Sequence, residues 1–171
     1  TGGHTAEMIQ LLKSMISLEP RYAPRCYIVA ETDAMSGKKA AIFEHQDVSQ
    51  YSISYIPRSR EVGQKYITSI FTTLWALLYA GIVVLRHRPR VLLVNGPGTC
   101  LPLVVWCRLA SFSGLIFHGC KVIYVESIAR VDHLSLTGRI IYNLGLAHCF
   151  YVQWEELQAK LPRSLYVGRV Y

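Results

Sequence analysis

Charge is scarce in this sequence: Asp, Glu, Lys and Arg make up 17% of 171 residues, and residues 66–85 contain none. The basic residues that are present form no long run and no stripe interleaved with aromatics, which argues against a nucleic-acid surface. The five cysteines, Cys26, Cys100, Cys107, Cys120 and Cys149, include no CxxC pair and no His partner at zinc spacing. Most lie inside apolar runs and read as reduced core residues of a cytosolic compartment. No Walker lysine, no Ser–His–Asp order and no metal constellation is present. Repeats, low-complexity tracts and linkers are also missing, so residues 1–171 are expected to form one domain. There is no initiating Met and no visible signal peptide. The chain opens at Thr1 inside a glycine loop of the kind that normally follows a strand, so a fragment lacking its first strand is expected.

What the chain does have is apolar mass and a positive balance. It is 51% hydrophobic with mean hydropathy +0.26, net charge +7 and a pI near 9.3. An anionic partner follows from the charge, and apolarity combined with Lys and Arg fits the cytoplasmic face of a membrane.

The run Val91–Val94 does not alternate, which suits a parallel strand covered on both faces. It stops in Asn95-Gly96-Pro97-Gly98, and Thr99 is placed to cap the apolar segment 99–117. Strands are likewise expected over 25–30, 51–56, 120–125, 148–152 and 165–167. Helices are expected over 4–18, ended by Pro20, over 36–46 capped by Ser36, and over 135–146 capped by Ser135. A short helix opens with Glu155 and Glu156. The βαβα order predicts an α/β fold built on a doubly wound parallel sheet. Residues 66–85 have the length of a bilayer span, but Thr68, Ser69, Thr72 and Thr73 dilute them and Gly81 interrupts them. The preferred reading is a long helix on the sheet with one face toward the membrane interface, followed by Arg86, His87, Arg88 and Arg90.

Ligands of open α/β sheets sit outside the carboxyl ends of the strands. Three loops belong there if one sheet carries them: residues 1–5, 95–99 and 125–131. Gly2 and Gly3 with His4 form either a glycine turn with a capping His or a diphosphate cradle with a donor or proton acceptor beside it. Thr5 follows in the same loop. Glu126 accepts a proton from a sugar hydroxyl, caps a helix, or neutralises Arg130, itself a candidate phosphate ligand. Glu31 and Asp33 bind hydroxyls or are solvated loop residues. Arg58 and Arg60 suit a diphosphate or lipid headgroups, or pair with Glu61.

Taken together, GGHT, PRSREV, NGPGTC, YVES-I-x-RV and the terminal VQW…P-x-S-x-Y-x-GR-V resemble the asparagine-linked glycosylation protein fourteen family, in this order from Thr1 to Tyr171. That family is the membrane-anchoring subunit of the transferase adding the second N-acetylglucosamine to dolichyl-diphosphate-N-acetylglucosamine. The chain is similar, more distantly, to the acceptor half of the bacterial transferase that makes peptidoglycan lipid II. The resemblance implies the Rossmann-like N-terminal lobe of a GT-B glycosyltransferase, at the cytosolic face of the endoplasmic reticulum membrane. A second chain, the thirteen member of the same pathway, would bind UDP-N-acetylglucosamine, and neither chain would act alone. By position Gly2, Gly3 and His4 match its acceptor-side glycine loop and Gly96, Pro97 and Gly98 the second such loop, while the tail Gly168, Arg169, Val170 and Tyr171 matches the segment through which the family meets its partner. With the residue reading above, the acceptor-diphosphate site is expected at Gly2, Gly3, Thr5, Asn95, Gly96, Gly98, Thr99 and Arg130, and headgroup contact at Arg58 and Arg60. His4 or Glu126 would take the acceptor's proton, with no cofactor and no metal. Val125 stands where the bacterial enzyme pairs a His with the carboxylate. Two other classes fit the same motifs: a membrane scaffold without reactive groups, and a bacterial-type exopolysaccharide transferase half with an undecaprenyl acceptor.

Overall fold

A computed structural model of the chain describes residues 3–18, 22–44, 50–58, 66–116 and 118–170. Helices and strands alternate: α1 (Gly3–Leu18), β1 (Arg25–Ala30), α2 (Ala34–Phe43), β2 (Tyr51–Ile56), α3 (Tyr66–His87) and β3 (Val91–Asn95) come first. They are followed by α4 (Cys100–Phe112), β4 (Lys121–Val125), α5 (Leu136–Asn143), β5 (Cys149–Val152), α6 (Glu155–Ala159) and β6 (Leu165–Tyr166). All strand pairs are parallel, which places the strand exits at one edge of each sheet. This is an α/β, Rossmann-like architecture.

The sheet is not continuous. β1 pairs with β2, and β3-β4-β5-β6 form a separate four-stranded sheet. The βαβα order leads to the expectation of one doubly wound sheet, whereas β1 and β3 are not paired with each other. The first turn of α1 connects α2 with the end of β3. Thr5 Oγ1 lies 2.5 Å from Ser36 Oγ on α2, and Asn95 Nδ2 at the end of β3 donates to the His4 carbonyl at 2.7 Å.

One core serves both sheets. Ile56 at the end of β2 joins Ala80 and Val84 of α3, Val94, Val104, Val122 and Tyr124 in a single buried cluster. Within it Tyr124 stacks on Phe150, its cross-strand neighbour, with centroids 4.8 Å apart. At the far end of β1, Arg25 holds Glu44 through two charge-assisted bonds of 2.6 and 2.5 Å, and the Tyr27 hydroxyl donates to the same carboxylate. Burial and that neighbouring carboxylate push the Tyr27 phenol well above its ordinary value.

Several helix ends differ from the sequence expectation, each for a local reason. Asp33, not Ser36, caps α2: its carboxylate accepts the Ser36 backbone N–H at 3.2 Å and the Ser36 hydroxyl at 2.7 Å. Thr99 is already helical in backbone and makes no side-chain cap bond to α4. α4 stops at Phe112 rather than running to 117, because Gly114 turns the chain at φ +75°. Ser135 caps α5 as expected, accepting the Gly138 N–H at 3.0 Å. Pro20 lies outside the described residues.

Among the described residues no helix is long and apolar enough to cross a membrane. α3 is instead two-faced. Ala76, Ala80 and Val84 face the core, while Phe71, Leu74, Trp75, Leu78, Ile82 and Leu85 are exposed on the opposite side. Gly81 is where α3 and α4 touch: a Cβ there would lie 2.6 Å from the Trp106 indole, which is itself pinned by a 2.6 Å bond from its Nε1 to the Leu77 carbonyl. Gly81→Val is therefore expected to destabilise the fold by about 1–3 kcal/mol through overpacking. A urea titration followed by circular dichroism reads this as a lowered midpoint.

Candidate functional site

Three chain segments meet at the exits of β3 and β4. The first is the opening turn of α1, carrying His4 and Glu7. The second is Asn95-Gly96, where β3 ends and the chain turns with Gly96 at φ +64°. A Cβ at Gly96 would overlap the His4 imidazole, so glycine is required there both by backbone conformation and by the ring above it. The third is the loop after β4, beginning with Glu126 and Ser127.

These segments are held by a chain of hydrogen bonds. His4 Nδ1 lies 3.2 Å from one Glu7 oxygen, and the other Glu7 oxygen accepts the Ser127 hydroxyl at 2.7 Å. The His4 side chain is 48% exposed and that of Glu7 13%. A carboxylate on Nδ1 favours the tautomer with its proton there, which leaves Nε2 free to accept one from solvent or substrate. Glu7 is the functional residue that reading the sequence for strand-end loops passes over, since it sits off the apolar stripe of α1. The available signal is its spacing, His and Glu three residues apart on one helix face.

Glu126 occupies a different environment. It has 0% exposure, and each oxygen is already engaged. Oε1 accepts the Ser127 N–H at 3.1 Å and the Tyr124 hydroxyl at 3.4 Å; Oε2 accepts both the N–H and the hydroxyl of Ser135 at 3.0 Å. Gly138 has no room for a Cβ because the carboxylate lies against it. Of the two roles the sequence allows Glu126, the structure builds the capping one: the carboxylate secures the loop and the start of α5 and is sealed from the exterior. Burial and the adjacent Glu126 charge push the Tyr124 phenol above its ordinary range.

The other expected residues fall into three groups. Gly3 opens α1 with open space around it, Gly98 is exposed, and Thr99 is half-buried, so the Gly96–Thr99 turn lies beside the His4 ring with its outer part accessible. Thr5 is turned away from this turn, toward Ser36 of α2. Arg130 is half-buried, with Nη1 3.4 Å from His133 Nε2, and Arg58 is half-buried at the exit of β2. At the tail, Gly168 turns at φ +87°, the Arg169 guanidinium lies 4.1 Å from the Trp154 ring centroid, and the Val170 N–H donates to Gln153 Oε1 at 3.0 Å. Gly2, Arg60 and Tyr171 lie outside the described residues. Among the described residues no cluster of His, Cys, Asp and Glu could hold a metal ion, and all five cysteines are free. Burial pushes the Cys100 thiol, closest in sequence to the Gly96–Thr99 turn, up to about 12, so it is not a nucleophile at neutral pH.

The sequence matches, over residues 1–170, the family described as Oligosaccharide biosynthesis protein Alg14 like. It is similar to curated proteins named UDP-N-acetylglucosamine transferase subunit ALG14. Identity is 41% to those of Rattus norvegicus and Homo sapiens, over 99% of this chain and 79% of theirs. It is 40% to that of Candida albicans, over 98% of this chain and 74% of the relative. A match spanning the glycine turn, the His4–Glu7 helix and the tail together places the chain in the Alg14 family of oligosaccharide biosynthesis proteins.

Proposed function

We propose that this chain is the acceptor-binding half of a two-chain N-acetylglucosaminyltransferase. It binds dolichyl-diphosphate-N-acetylglucosamine at the endoplasmic reticulum membrane, on the cytosolic face. A second chain delivers UDP-N-acetylglucosamine across a GT-B cleft. The observation that carries this reading is the meeting of His4, Gly96 and the Ser127 loop at one strand edge, in a chain whose relatives are named as transferase subunits.

In this reading the reaction is a single displacement with inversion. The 4-hydroxyl oxygen of the acceptor sugar forms a bond to the anomeric carbon of UDP-N-acetylglucosamine. The bond from that carbon to the UDP oxygen breaks, and UDP leaves with the electron pair. The hydroxyl proton passes to His4 Nε2, the ring nitrogen that Glu7 does not engage. The backbone at Gly3 and Gly96–Thr99, with the first turn of α1, cradles the acceptor diphosphate, and Arg130 adds a positive charge. Glu126 acts by position, because its carboxylate is enclosed and cannot meet a sugar. No step calls for a metal.

The outer face of α3 supports the membrane side of this reading. Its exposed stripe includes Phe71 at 71% exposure and Ile82 at 63%, and a groove of about 410 Å³ opens beside Trp75, Leu78 and Trp106. Arg58 precedes this helix, and exposed Arg86, Arg88 and Arg90 follow its apolar stretch. An apolar stripe bracketed by cations fits an anionic lipid surface. α3 follows β2 in the chain, and a helix lying in the interface would bring the acceptor loops toward the headgroups.

His4→Ala in the reconstituted pair is expected to lower kcat by about 10²–10⁴-fold, the range of a general base, while pair formation is retained. Glu7→Gln should lower kcat by roughly tenfold with acceptor KM little changed, since it loosens the tautomer and not the cradle. Transfer of radiolabelled sugar to a short-chain polyprenyl-diphosphate acceptor measures both, and wild-type turnover by His4→Ala would sink the assignment. For α3, Leu78→Asp with Ile82→Asp should reduce transfer to acceptor embedded in anionic vesicles by about tenfold or more. Transfer to a water-soluble acceptor should stay the same. Equal loss on both acceptors would show that the variant damages the fold and not membrane docking.

A further inference from the structure

His148 stands immediately before β5 and grips Val122 of β4 through both backbone and ring. Its backbone N–H donates to the Val122 carbonyl at 2.8 Å, and its Nδ1 accepts the Val122 N–H at 2.9 Å. Val122 is fully buried, so its N–H depends on the ring as acceptor. The backbone thereby fixes the tautomer: Nδ1 is bare and Nε2 carries the proton. A proton on Nδ1 would set two N–H groups against each other. Burial and the charges of Arg108 and Lys121 also hold the imidazole below its ordinary value, which keeps the ring neutral at pH 7.

Nε2 then faces another donor. Arg108 Nη1, on α4, lies 2.8 Å from it, and a guanidinium has no acceptor to offer. Lys121, exposed at the start of β4, adds a second cation beside them. The surrounding elements bring no carboxylate: residues 62–125 and 133–154, which include α3, β3, α4, β4, α5 and β5, contain no Asp or Glu. Among the described residues neither Arg108 nor Lys121 forms an ion pair. Since His148 is exposed and Arg108 half-buried, a solute has access to the opposed donors.

We propose that Arg108, Lys121 and the Nε2–H of His148 bind a phosphate group at the entries of β4 and β5, the opposite end of these strands from the Glu126 loop. Phosphate oxygens that accept from Nε2–H and from the guanidinium turn two opposed donors into two bonds to one anion. Two cations and one neutral donor suit a dianion with several oxygens. The phosphate belongs to a soluble ester or to a lipid headgroup. Neither source depends on the transferase reading.

Long-range proton–nitrogen NMR of the full chain tests this, because it reads the protonation of each imidazole nitrogen. Before any addition, His148 should show a protonated Nε2 and a bare Nδ1. Inorganic phosphate should shift the Nε2 signal with a dissociation constant of about 1 mM, and chloride at the same ionic strength should not. Arg108→Gln should weaken phosphate binding by about tenfold or more and Lys121→Gln by about threefold. Arg139→Gln, which removes an equal charge from the exposed side of α5, should stay within about twofold of wild type. If Arg108→Gln does not fold, Lys121→Gln and the wild-type signals decide. Vesicles of phosphatidylcholine with and without phosphatidic acid separate the two sources. Arg108→Gln binds the acidic vesicles more weakly if the phosphate is a headgroup, and as well as Arg139→Gln does if it belongs to a soluble ester. A protonated Nδ1, an equal response to chloride and phosphate, or equal loss of phosphate binding in the Arg139→Gln control overturns the site.

Discussion

A carboxylate removed from water must be met by donors on all sides, and Glu126 imposes that condition on the site. Its four contacts come from Tyr124 on β4, from Ser127 just after it, and from the backbone and hydroxyl of Ser135. The segment between Ser127 and Ser135 is thereby closed into a loop with fixed ends, although it contains no regular structure. Ser127, fixed in this way, can donate to Glu7 across 120 positions of sequence, and Glu7 can hold the His4 ring over Gly96. The exposed member of the chain, His4, is positioned by the sealed one, Glu126. Such a division is expected where a group needs both solvent access and a fixed direction.

The sequence announces most of the elements, because their physical causes are local. β1 and β2 have the expected bounds, since both runs are bounded by turn residues and their side chains suit a pleated surface. The helix ends were harder to read, for an equally local reason. Asp33 and Ser36 are both good caps, and Asp33 prevails by taking the Ser36 N–H and hydroxyl together. Thr99 has capping chemistry, but its backbone has already entered the helix. The break between β2-β1 and β3-β4-β5-β6 could not be read from patterns, because pairing depends on which strand ends are brought side by side.

The site was legible in its parts and not in its arrangement. Glycine loops and a histidine mark the strand exits, and the structure brings His4 and Gly96 together. Nothing in the string YVES distinguishes a carboxylate that faces a crevice from one folded under it. The difference is made by Gly138 and Ser135, nine and more residues away, which leave just enough room for the carboxylate and supply its donors. Glu7 illustrates the converse: its partners His4 and Ser127 lie on separate elements, so its role exists only once α1 and the β4 loop are assembled. Gly81 reads in the sequence as an interruption of an apolar run, and its reason is the indole of Trp106 from another helix.

The scarcity of charge in α3 has the same root as the two-sidedness of the molecule. A helix that had only to cover a sheet could carry polar residues on its outer face at no cost to the core. Here the inner face is made of small residues, Ala76, Ala80, Gly81 and Val84, which lets α3 lie close to β2 and α4. The large apolar residues are on the outside. Bulk has been placed where it does nothing for the fold, and cations are gathered beyond it at Arg86, Arg88 and Arg90. That distribution is unfavourable in water and favourable at an anionic lipid interface, where the apolar stripe is buried and the arginines meet headgroups. In the proposed function this surface is what holds the acceptor site at the bilayer, so that a lipid-linked substrate would present its sugar to His4 without leaving the membrane.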